Sequence, residues 1–79
     1  MLDLEHLKVG EILQKVRQSK KLTLAQVAMK LQLMGCDVSI FTIIRLESDR
    51  SRLRVKELLG LSEIYGVDLA QLIREKASV

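Results

Sequence analysis

Asp37-Val-Ser-Ile-Phe-Thr-Ile-Ile-Arg-Leu-Glu-Ser-Asp-Arg50 (DVSIFTIIRLESDR) opens like a capped helix and ends in charge. Ser39 has the short hydroxyl side chain favoured at a helix N-terminus, so the spacing predicts a helix over Ile40–Glu47. Ile40, Phe41, Ile43 and Ile44 put four large apolar residues into five positions. One helix face can bury only part of that set. With Ile43 and Leu46 turned to a core, helical geometry directs Ile40, Phe41, Ile44 and Arg45 outward.

The flanking segments supply partners for the inward pair. Apolar residues recur at three- and four-residue spacing along the chain, with no sustained period of two and no Asn-Gly or Asp-Gly hairpin turn. The expected fold is all-α, with five helices. The first runs from about Lys8 to Lys20. Leu13 and Val16 face inward, joined by Val9 and Ile12, while Glu11, Gln14, Lys15 and Gln18 face water. Thr23 caps the second, and Gln26 stands three residues on in capping-box spacing. Leu24, Val27, Ala28 and Leu31 form its apolar stripe. Gly35 marks the stop, which lets this helix continue through Leu33. Ser48–Ser51 is a polar connector. The fourth helix runs from about Val55 to Tyr65, with Leu58, Leu59, Leu61, Ile64 and Tyr65 available to pack and Gly66 as its C-cap. Asp68 caps a short fifth helix whose inward residues are Leu69, Leu72 and Ile73. The tail from Lys76 to Val79 is expected to fray.

The 79 residues make one domain, with a core spanning about residues 8–74 and mobile ends. Composition is that of an ordinary soluble domain, 48% apolar and 29% charged, with only Phe41 and Tyr65 aromatic. The core must therefore be aliphatic. Cys36 is the single cysteine, which excludes an internal disulfide, and it reads as a small buried hydrophobe. With one distant histidine, His6, it makes no metal cluster, and His6 itself reads as solvent-exposed or as part of a dimer contact. No cofactor is expected. No nucleophile–base set or phosphate-cradling glycine loop is present, so no enzyme is expected. Asp3 and Glu5 near the start do not resemble a signal peptide, and no apolar run is long enough to span a bilayer. A cytoplasmic, nucleoid-associated protein follows as the expectation. Net charge is +3. It concentrates between Arg45 and Lys56, where Arg45, Arg50, Arg52, Arg54 and Lys56 stand against Glu47 and Asp49.

Two consecutive short helices inside a five-helix set describe a helix-turn-helix module. Gly10-x-x-Leu13-x-x-Val16-Arg17 followed by Leu22-Thr23-x-x-Gln26-Val27-Ala28-x-x-Leu31 resembles the first half of the Cro/repressor (XRE-type) family. Val38-Ser39-x-x-Thr42-Ile43-x-Arg45-Leu46-Glu47 resembles its reading helix. Leu58-x-x-Leu61-x-x-x-Tyr65-Gly66-Val67-x-x-x-x-Leu72 resembles its fourth and fifth helices. The similarity covers about Val9 to Ile73. It implies a compact lambda-repressor-like bundle, and it implies that Arg17 pairs with Glu47, holding the first and third helices in register.

Three departures qualify the resemblance. Leu24 stands where the family carries a phosphate-holding Gln. The turn between the second and third helices is long, with Leu33 and Met34 expected to pack beneath it. The outward positions of the third helix, usually polar, are here Ile40, Phe41, Ile44 and Arg45.

The resemblance implies a sequence-specific DNA-binding regulator, a repressor, with the third helix in the major groove. Arg45 would read a base, Ile40, Phe41 and Ile44 would meet thymine methyls, and Ser39 and Thr42 would reach a phosphate. Arg50, Arg52 and Arg54 would hold the flanking backbone, with Thr23 and Lys21 on the other side. A homodimer on double-stranded DNA is expected, its seam formed by Leu69, Ile73 and Ala77 or by the outer face of helix four. The alternatives are a protein-interaction module, an antirepressor or accessory subunit using Ile40, Phe41 and Ile44 against a partner, and the DNA-reading part of a larger regulator.

Overall fold

A computed structural model describes residues 8–77, with side chains to residue 76. His6 and the last two tail residues lie outside it. Five helices follow in order: α1 (Val9–Ser19), α2 (Leu24–Leu33), α3 (Ile40–Glu47), α4 (Val55–Tyr65) and α5 (Leu69–Ala77). Among the described residues there is no strand, and no helix is long and apolar enough to cross a membrane.

The helix starts follow their capping residues. The Thr23 N–H donates to Gln26 Oε1 (2.8 Å) and the Gln26 N–H donates to Thr23 Oγ1 (3.1 Å), closing a capping box on α2. At α3 the Ser39 N–H donates to Thr42 Oγ1 (3.0 Å). At α4 the Arg54 N–H donates to the buried carboxylate of Glu57 (2.9 Å). The Gln71 N–H donates to Asp68 Oδ1 (3.1 Å) at the start of α5. Gly66 ends α4 in the left-handed region at φ 66°, where a Cβ would be strained.

The core is a single aliphatic cluster with one ring in it. Leu13, Val27, Leu31, Ile43, Leu61, Tyr65 and Leu69 are the largest of its fully buried side chains. Burial in apolar surroundings, with the Glu47 carboxylate nearby, pushes the Tyr65 phenol up to about 12.

The α2–α3 turn is anchored differently from the sequence expectation. Leu33 is 82% exposed and Met34 38% exposed, so Leu33 does not pack beneath the turn and Met34 does so only in part. The reason is helical phase: Leu33 falls almost opposite the stripe of Val27, Ala28 and Leu31. Cys36 and Val38 take the place beneath the turn, both buried. Gly35 at φ 88° lets the chain reverse, the Cys36 N–H returns to Leu31 O (3.0 Å), and Gln32 Nε2 ties Val38 O (2.8 Å).

Three smaller expectations are also corrected. Leu59, assigned to packing, points to solvent. Leu69, offered as a dimer contact, is sealed inside the monomer core and has no surface to give a partner. Lys76 and Ala77 continue α5 rather than fraying. Gln71 and Glu75 bond one turn apart, and Arg74 and Lys76 suit the carbonyl end of the helix dipole.

Candidate nucleic-acid interface

α3 is held against the bundle from two sides, by α1 and by α2. Ile43 and Leu46 are buried, whereas Ile40 (40%), Phe41 (67%) and Ile44 (42%) are exposed, as is Arg45. The eight-residue helix therefore presents one guanidinium among three apolar side chains.

Its orientation is set by charge as well as packing. Arg17 Nε donates to Glu47 Oε2 (2.7 Å) and Arg17 Nη2 to Glu47 Oε1 (3.0 Å), a bidentate pair whose side chains are mostly buried. The remaining Nη1 donates to Leu22 O (2.9 Å), tying the α1–α2 turn to the same group. The Glu47 carboxylate bonded to it raises the Arg17 guanidinium above its ordinary value against the effect of burial. A second link joins the N-terminus of α1 to the end of α3. The Gly10 N–H donates to Asp49 Oδ1 (2.9 Å), and Asp49 sits at φ 59°, in the left-handed region that short polar residues tolerate.

Beside α3, Thr42, Arg45, Arg52 and Arg54 line one open cleft of about 480 Å³, together with Ser51. Asp37 and Glu57 line it too, so three arginines share the cleft with two acidic residues. Arg50 and Arg52 border a larger groove of about 790 Å³ between the α3–α4 connector, α1 and α5, floored by Leu13, Leu53 and Leu58. Thr23 and Ser39 stand exposed at the starts of α2 and α3, clear of both. Lys21, at φ 56°, is exposed in the turn before Thr23. Leu24 is half-buried against the core and has no polar atom for a phosphate, which leaves Thr23, the exposed Gln26 and backbone groups at the start of α2.

Sequence reasoning missed Ser51, which lines both clefts from between two arginines; that position was its one signal. Lys56 is legible in the sequence as one of the clustered cations, but the bond by which its ammonium donates to Gly35 O (2.8 Å) and braces the long turn is not. Nothing in the spacing of residues 35 and 56 announces that contact.

No curated protein and no solved structure matches the chain. The helix-turn-helix family model HTH_3 matches residues 13–72, from the middle of α1 to α5 and across both helices of the turn. With three quarters of its length matched in this way, the chain belongs to the XRE-type helix-turn-helix family of DNA-binding domains.

Proposed function

We propose that the protein is a sequence-specific DNA-binding transcriptional regulator, acting as a repressor, that inserts α3 into the major groove. The observation that carries this reading is the outward side of α3, where exposed Arg45 stands among Ile40, Phe41 and Ile44 next to the cleft bordered by Arg52 and Arg54. Arg45 is the side chain suited to bidentate recognition of guanine, and the three apolar residues reward thymine methyl groups. Ser39 and Thr42 lie at the N-terminal half of α3, where the helix dipole favours a phosphate. Arg50, Arg52 and Arg54 hold the flanking backbone, and Lys21 and Thr23 hold it on the other side. One such module contacts few base pairs, so two copies on half-sites about one helical turn apart complete the recognition.

The test is selection of bound sites from random duplexes at stated salt, followed by affinity measurement. Arg45→Ala is expected to lose about 1–3 kcal/mol on the selected site and to relax preference at one base pair. Arg54→Ala is expected to weaken all duplexes alike and to lower the salt slope by about one unit. Absence of any binding in dilute buffer would overturn the reading. In that event the exposure of Phe41, together with Ile40 and Ile44, favours the second reading: a protein partner seated on the apolar side of α3.

A further inference from the structure

Val55 and Leu59 lie one turn apart on α4, 72% and 64% exposed. The opposite side of that helix is fully engaged. Glu57, Gly60, Leu61 and Tyr65 are buried, with Gly60 backed against Leu31 of α2. Met34, just after α2, adds partly exposed apolar surface beside Gly60 of α4.

The charges on this face have a particular order. Lys56 precedes Leu59 by three residues and Glu63 follows it by four, and both are exposed. Along a helix this 3–4 spacing makes one stripe, with a cation at its start, a leucine in the middle and an anion at its end. A stripe of that kind is complementary to itself when reversed. We infer that the outer face of α4 is a two-fold seam with a second copy of this chain, in which the two α4 helices run antiparallel, Leu59 packs on Leu59 beside the axis, and Lys56 of each copy faces Glu63 of the other. An isologous contact requires this self-complementarity. Lys56 already donates to Gly35 O, and an ammonium has two further protons to offer a carboxylate.

The seam gives the dimer expected of the DNA-binding reading its location, and it rests on that reading only for its purpose. α4 does not use the outward side of α3, so Ile40, Phe41, Ile44 and Arg45 stay open to a duplex. An eleven-residue helix is about 16 Å long, which places the contact among small, weak interfaces. The free dimer is therefore expected to dissociate in the micromolar range or above.

Sedimentation equilibrium without DNA, across micromolar to millimolar protein, tests the seam separately from DNA affinity. The wild-type chain is expected to show a monomer–dimer equilibrium. Leu59→Glu, at a solvent-facing position that leaves the fold intact by circular dichroism, is expected to weaken it by on the order of a hundredfold. Lys56→Glu and Glu63→Lys each weaken it, and the double exchange restores it. Phe41→Ser leaves it unchanged. A wild type monomeric throughout, a dimer indifferent to Leu59→Glu, a dimer lost with Phe41→Ser, or a double exchange no better than the singles would each overturn the seam.

Discussion

Gly10→Ala separates two physical expectations of opposite sign. Judged by helix propensity alone, replacing a glycine inside α1 should stabilise, by up to about 1 kcal/mol. The structure predicts the reverse. A Cβ at position 10 would lie 2.5 Å from the carbonyl carbon of Glu47, closer still to its oxygen, and 2.8 Å from Leu46 O. These are backbone atoms of α3 and cannot rotate away. Ordinary carbon–carbon contact needs about 3.5 Å, so the two helices must separate by about 1 Å. Overpacking of this sort costs about 1–3 kcal/mol. The same displacement loosens the bond from the Gly10 N–H to Asp49, a hydrogen bond to a charged group, which is worth about 1.5–3 kcal/mol. After the propensity gain the net loss should be about 2–4 kcal/mol. In a domain of this size each kcal/mol moves the midpoint by roughly 4–8 °C, so a loss of about 2–4 kcal/mol should lower Tm by about 8–32 °C. Thermal and urea unfolding followed by circular dichroism measure it, with the m-value held constant as the check on two-state behaviour. Gly60→Ala is the control. Its Cβ would meet Leu31 Cδ2 at 2.7 Å, the far end of a side chain that can turn, so its loss should be smaller than that of Gly10→Ala. An unchanged or raised Tm for Gly10→Ala would refute the close approach of α1 to α3.

Arg17→Met should destabilise by about 3–5 kcal/mol, because Glu47 is left mostly buried without its bidentate partner. In a double-mutant cycle Glu47→Leu should recover much of that loss, and additive losses would show that the pair is not coupled. Tyr65 should titrate late: it is the only tyrosine, so tyrosinate absorbance reads it directly, and a midpoint near 10 would contradict its burial. Its folded value is raised above the unfolded one, so its contribution is complete below pH about 10 and is lost as pH rises through about 12. Tyr65→Phe should remove that part of the alkaline destabilisation. Leu33→Gln, at a solvent-facing site, should change stability by no more than about 0.5 kcal/mol in unfolding experiments; a loss above 1 kcal/mol would mean that the turn covers it after all.

The local sequence signals described most of this molecule. Thr23 with Gln26, Ser39 at the start of α3, Asp68 before α5 and Gly66 after α4 mark helix ends that the structure repeats, because capping is settled within four residues of chain. The periodicity of Ile43 and Leu46 was enough to turn Ile40, Phe41, Ile44 and Arg45 outward, since a helix has one phase. Leu33 and Leu59 depart from the expected packing for a related reason: both are apolar, but neither lies on its helix's buried side, and phase outweighs apolar character. The remaining features depend on which helices meet. Gly10 against the backbone of Glu47, the Asp49 cap on α1, Lys56 on Gly35 and the sealed position of Leu69 join residues distant in sequence. Such contacts follow from inter-helix distance and angle, quantities that no local pattern encodes, and they place Arg45, Arg52 and Arg54 around one cleft.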